Sequence, residues 1–441
     1  MRKKRLVSAL IVLCLLALSL PAQADLLFTR QDNGYSNTAL GIIQGAGDPV
    51  SPLVSNMGGN SGQGIYPFKN ADGNFRVAVT LYTGNGTDVI SIYNPGAQSG
   101  WTQPSSWQAP LREATTTLHN TRVMAEMGGS LYATAYDIPI VSRVTTAGDV
   151  YKQDKKYEYY HNDSKYNGHG EALCAYNGNL YAIFTGSNDP WNTASGSYRL
   201  NQLVKLDSEL NELARVEMKG KNLDGFTPGA YAQKDGKLYV ATLGGVQQFG
   251  EKWNPESCVE MADLGTMEIT SLITAGEVNA IDPTFKHMFD AVVFAGDKVY
   301  IQAARWTSDE DYTSGYSIRV YETTLEKLQK GDIGTLLRDF SGEYGYRLGL
   351  VYDENTKYLW AGVGYSLWRF DGTNWKEFGS NALSGNISAY TAVNPTGTVT
   401  PVEPDAPSDG GGGGGGCNAG YGLLALVALL PALARGGKKG K

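Results

Sequence analysis

A chain of 441 residues has room for two or three ordinary domains or for one large repetitive one. With 55 Gly, 27 Tyr, only 18% charged residues and little helical periodicity, its composition favours the repetitive case. Eight of the 37 basic residues but none of the 44 acidic ones lie in residues 1–24 and 417–441, so the body between them carries a net charge of −15, which argues against nucleic acid and anionic membrane as partners.

The first element is a leader. A positive start (Arg2 to Arg5) precedes the apolar run LVSALIVLCLLALSL and the small-residue site Ala22-Gln23-Ala24, so residues 1–24 read as a secretory signal peptide cut after Ala24 by signal peptidase. Cys14 lies mid-run with no small residue before it, which speaks against a lipoprotein start.

From Asp25 onward the chain is an array. GGSLYATAY at Gly128 returns as NGNLYAIFT at Asn177, DGKLYVATL at Asp235 and GDKVYIQAA at Gly296, with looser copies at Asp72 (DGNFRVAVT) and Thr356 (TKYLWAGVG). Anchored on Leu27, Phe75, Leu131, Leu180, Leu238, Val299 and Leu359, the successive spacings are 48, 56, 49, 58, 61 and 60 residues. Each unit has a strand before a turn (GEALCAY), a second after it (NLYAIFT), a third (LVKLD) and a weaker fourth (ELARVEM). Four antiparallel strands make a propeller blade, and packing on both faces explains strands that are apolar on both faces. The mature N-terminus supplies LLFTRQ and TALGIIQ but no first strand, whereas NISAYTAV at Asn386 is a first strand with no successor. Joining them completes a seventh blade from both chain ends. The expected fold is therefore all-β, a single seven-bladed β-propeller over residues 25–395, with six or eight blades as the fallback.

The unit resembles the broad family of bacterial secreted propellers, and LWRFDGTNWKEF at Leu367 is similar to the strand-turn-strand of regulator-type propeller repeats. That resemblance implies fold, not activity. Asp371-Gly372-Thr373-Asn374-Trp375 is not an Asp-box, because Gly follows Asp immediately, so sialidase kinship is not supported.

Stepping back 12 residues from the anchors samples equivalent loop-face positions near the axis: Gln63, His119, Gly168 (beside His169), Phe226, His287 and Arg347. Three of the four histidines fall on or next to this ring, and Asn120, Glu171 and Asp290 lie near enough in sequence to join it. Histidine is the commonest metal ligand and a neutral-pH acid or base, so His119, His169 and His287 form a candidate axial metal set. The plainer reading is hydrogen bonding around a water-filled channel. No cofactor is expected, with a divalent metal as the alternative. The fourth histidine, His161, falls in the polar connection YEYYHNDSKY and reads as a surface residue.

Two long insertions open on the same face, SNDPWNTASGSY and WTSDEDYTSGYS. They offer Asp189, Trp191, Trp306, Tyr312 and the run Asp309 to Asp311, which suit stacking on sugar rings or capture of cationic groups. The acidic run lacks the alternating spacing of a calcium loop. No Gly-x-Ser-x-Gly, His-Glu-x-x-His, phosphate-cradling loop or Cys-x-x-Cys occurs, which leans against an enzyme. Cys174 and Cys258 fall in different repeats, and their pairing in an oxidising compartment stays open.

The chain closes on a Pro- and Gly-rich linker (residues 396–416, ending in Gly410 to Gly416), then CNAGYG, the apolar stretch LLALVALLPALA and the basic end RGGKKGK. Twelve apolar residues span about 18 Å, short for a bilayer. The layout of residues 417–441 resembles Synergist-type C-terminal sorting tails, similar to the GlyGly and PEP tails read by intramembrane sorting proteases. The resemblance implies export, cleavage near Gly416 or Cys417 by a sorting protease, and release or display at the cell surface. Membrane contact is then confined to the terminal segments. The favoured function is a surface-displayed or released propeller whose loop face binds a small molecule, glycan or protein. An extracytoplasmic metal-assisted hydrolase or lyase on the histidine ring, and a non-catalytic envelope scaffold, are the alternatives.

Overall fold

A computed structural model describes residues 25–31, 37–54, 57, 61–82, 89–94, 102–108, 121–136, 138–146, 151–159, 167–187, 198–245, 253–306, 316–340, 346–383 and 385–393. All belong to the first of two compact units, Met1–Pro404 and Asp405–Lys441. The strands form seven four-stranded sheets, each a consecutive antiparallel meander except the one that joins the chain ends. The fold is a seven-bladed β-propeller. Blade I comprises 25–54 with 386–393, and blades II to VII comprise 61–108, 121–158, 167–221, 231–274, 288–339 and 346–378. Among the described residues no helix is long and apolar enough to cross a membrane.

The recurring Leu-Tyr phrase explains the ring. Its turn is tight because both central residues take positive φ, 47° and 71° at Asn177 and Gly178, as a two-residue hairpin of matching twist requires. Leu and Tyr are adjacent in a strand, so they point to opposite faces. Leu131 packs between blades II and III while Tyr132 packs between III and IV. Leu180 and Tyr181, Leu238 and Tyr239, and Val299 and Tyr300 repeat the step around the ring. Leu359 and Trp360 carry it to the blade VII–I seam. Each phrase therefore stitches its blade to both neighbours, and burying such a side chain contributes about 1.5–3 kcal/mol. At two of these tyrosines the hydroxyl also finds a partner in the next blade. Tyr132 donates to the Ser208 carbonyl at 3.0 Å, and Tyr181 to that of Leu264.

The ring closes by hydrogen bonding. Asn386–Val393 pairs antiparallel with Asp25–Gln31, from Asp25 opposite Val393 to Gln31 opposite Asn386. Thr29 and Ser388 add a hydroxyl contact of 3.0 Å. Seven apolar clusters, one per blade interface, make up most of the core.

Candidate functional site

The innermost strand of a propeller blade lines the axis, and here these strands share a defect. An extra residue interrupts the ladder at Gln63 in blade II, Glu171 in blade IV, Asp290 in blade VI and Ser388 in blade I. Blades III and VII shift register at the same place, after Thr121 and Arg347. A β-bulge breaks the in-out alternation and re-aims a side chain. It explains how Glu171 and Asp290, each 2% exposed, come to sit in strands that are otherwise apolar.

One segment of the chain bridges the innermost strands of several blades. The segment Asp224–Ala230, which leads into the short first strand of blade V, is tied to three other blades. The Gly225 amide donates to Glu171 Oε2 of blade IV at 3.0 Å. The Gly229 carbonyl accepts from Val292 of blade VI at 2.7 Å, and the Pro228 carbonyl from Leu350 of blade VII at 2.8 Å. Contact with three innermost strands places the segment across the axis. The approach is close: a Cβ on Gly225 would lie 1.5 Å from the Glu171 carbonyl oxygen, and one on Gly349 2.0 Å from that of Pro228. The segment therefore bridges the inner sides of blades IV, VI and VII. Stepping back from the anchors reached Phe226 in this segment but not its path. The sequence signal was the flexible, turn-rich string DGFTPG.

The ring residues have separate partners. His169 is 6% exposed, with Nδ1 2.5 Å from the Tyr136 carbonyl oxygen and its ring stacked on Tyr136 at 4.1 Å. Asp290 accepts from Gln302 Nε2 at 2.8 Å. His287 is fully buried, with Nε2 3.1 Å from Ser317 Oγ. Burial, with Arg319 and Arg305 alongside, holds its imidazole down to about 3, so it is neutral at physiological pH. The structure thus gives His169 and His287 different surroundings, one at the blade III–IV boundary and the other within blade VI. Among the described residues no three His, Cys, Asp or Glu side chains are grouped to hold a metal ion. Gln63 and Arg347 are placed by their backbone in innermost strands, and Trp306 at the end of the second strand of blade VI. Their side chains, together with His119, Asn120, Asp189, Trp191, Tyr312, Ala24, Gly416 and Cys417, lie outside the described residues, as does His161.

A groove of about 420 Å³ opens between blades IV and V. It is lined by Leu200, Lys219, Lys221, Pro255, Ser271 and Thr274, with Glu256 and Cys258 completing the wall. These residues stand at strand ends that lead into the loop face, Leu200 just after the insertion that contains Asp189 and Trp191. Lys221 pairs with Glu256 at 2.9 Å, and Thr274 caps the helix Ala275–Ile281. Lys219 and Ser271 are the polar side chains left to face a ligand.

Below Lys219 lies a buried carboxylate that sequence reasoning missed. Glu260 of blade V accepts from the Lys219 amide at 2.8 Å and the Gly220 amide at 3.1 Å, both in the irregular last strand of blade IV. Burial outweighs those bonds and pushes its carboxyl up to about 7. Cys174 and Cys258 are free thiols, and burial raises both to about 12, so neither is a nucleophile.

No family profile matches the sequence, and no curated protein matches it. Solved structures do. A protein of Lactobacillus plantarum aligns over 84% of this chain and 99% of its own, at 12% identity and a TM-score of 0.53. The periplasmic gluconolactonase of Pseudomonas aeruginosa aligns over 84% and 99%, at 13% identity and a TM-score of 0.50. At such identities the likeness establishes the β-propeller fold.

Proposed function

We propose that the protein is an exported β-propeller that binds a small molecule, glycan or protein through its loop face, and that its axis is structural. The observation that carries this is the contrast in polar groups: the axial segment and the bulge residue Glu171 satisfy one another, while Lys219 and Ser271 face an open groove. A concave site with a few convergent polar groups is the usual form of a small-ligand pocket. The leader supports export through signal peptidase. The tail resemblance supports cleavage near Gly416 or Cys417 by a sorting protease, followed by display or release.

Screening the purified protein against glycan and small-molecule arrays, with pull-downs for protein partners, tests the reading. A binder weakened at least tenfold by Lys219→Ala or Trp306→Ala is the expected result. Binders indifferent to both substitutions, or none, would refute it, and a stoichiometric metal whose loss follows His119→Ala and His287→Ala would favour the hydrolase instead. Mass spectrometry of secreted protein, with new ends at Asp25 and near Gly416, tests the processing.

A further inference from the structure

Blade VI carries a second polar cluster that the groove does not use. Met288 stands opposite Ala304 and Arg305 opposite Ser317 in the ladders of this blade. One residue before Met288, His287 therefore continues the same row, and its bond to Ser317 Oγ fixes it there. His287, Arg305 and Ser317 form a line across three strands at the loop-face end of the sheet. The apolar cluster between blades V and VI, with Phe285, Phe289 and Tyr321, packs the same sheet face.

Two nitrogens in this row are buried without a hydrogen-bond partner, His287 Nδ1 and Arg305 Nε. A buried polar group left without a partner costs about 1–3 kcal/mol, more for a charged group, so two in one row across the sheet point to a missing partner. The neighbouring charges are otherwise matched. Arg319 binds Asp339 at 2.9 Å, and Asp282 is held by the Thr284 amide and hydroxyl at 2.9 and 2.7 Å. Of the two guanidiniums that flank His287, Arg319 alone has a carboxylate partner among the described residues.

We propose that His287, Arg305 and Ser317 form a binding site for the carboxylate group of a ligand at the loop-face end of blade VI. The site requires the tautomer in which Ser317 Oγ donates to Nε2 and the imidazole proton stands on Nδ1 as a donor. The Arg305 Nε–H and an adjacent Nη–H supply the planar fork that fits a carboxylate. A monoanion balances the Arg305 guanidinium, whereas a dianion would add charge beside Asp282 and Asp339. The inference rests on the loop-face reading and narrows the chemistry of its ligand.

The test is ¹⁵N-histidine NMR of the purified protein, titrated with acetate against chloride at constant ionic strength. A saturable shift of the His287 Nδ1 resonance with acetate, absent with chloride, is expected. Arg305→Gln should abolish it and Arg305→Lys should weaken it at least tenfold, with an unchanged His169 resonance and melting temperature reporting intact folding. Should Arg305→Gln fail to fold, the Lys variant and Ser317→Ala, each weakening the response, carry the test. No saturable shift, a response untouched by Arg305→Lys, or a stronger response to inorganic phosphate than to acetate would overturn the site. Because the readout is His287 itself, an acetate response with no array binder would sink the broader reading and leave this site standing. An array binder with no acetate response would do the reverse.

Discussion

The axis and the loop-face rim of this propeller are built from the same strands and end in opposite states. At the axis, a bulge turns Glu171 out of its apolar strand and the Gly225 amide of blade V meets it. On the rim, the corresponding strand ends of blades IV, V and VI leave Lys219 and Ser271 facing a groove and His287 Nδ1 and Arg305 Nε without hydrogen-bond partners. A polar residue near a propeller axis is therefore weak evidence for a site until its partners are known. Satisfied polar groups specify structure, and unsatisfied ones point to a ligand.

Breaking the axial side should be the most damaging. Gly225→Ala places a methyl group 1.5 Å from the Glu171 carbonyl oxygen, so it should cost about 4 kcal/mol in urea unfolding or prevent folding. A change under about 1 kcal/mol would show that the segment is not seated across the axis.

The rim should show itself in the pH dependence of stability, with two opposing contributions. Glu260 sits near 7 when folded against 4.5 for the free group, so the unfolded chain holds fewer protons in that window. Acidification from pH 7 to 4.5 should therefore stabilise the fold, by on the order of 3 kcal/mol. His287 sits near 3 against 6.5, so the unfolded chain takes up a proton below pH 6.5 that the folded chain refuses, and acidification destabilises. The two offset between pH 6.5 and 4.5. Melting curves of Glu260→Gln should retain only the acid loss, and those of His287→Gln only the acid gain. Parallel profiles for both variants and the parent would contradict the assignment.

Smaller effects sharpen the contrast. Glu171→Ala, which removes the acceptor of the Gly225 amide, should cost about 2 kcal/mol in urea unfolding. Lys219→Ala should change stability by no more than about 0.5 kcal/mol, since its side chain is exposed. A larger loss would make it a structural residue, not a ligand contact.

Much of the fold was legible because its signal is local. The Leu-Tyr phrase states in two adjacent residues that both sheet faces are buried, and its spacing counted the blades. The unpaired NISAYTAV and LLFTRQ announced the closure. The site was legible only as a region. The register reached His287 and came within a residue of His169, yet their surroundings differ because Tyr136, Ser317 and Arg305 are supplied by other strands that periodicity does not align. The bulges at Glu171 and Asp290, the crossing of the axis by DGFTPG and the seating of Glu260 on two amides are contacts between strands or blades distant in sequence. No single stretch of the chain encodes them.

Hydrogen–deuterium exchange with and without a bound array ligand separates a structural axis from a ligand-binding one. Residues 223–230 should be protected equally in both states, because they are already bonded to three blades, and ligand should add protection at 198–200, 219–221 and 271–274. New protection confined to 223–230 and 167–171, with the groove unchanged, would mean that the axis is the binding site.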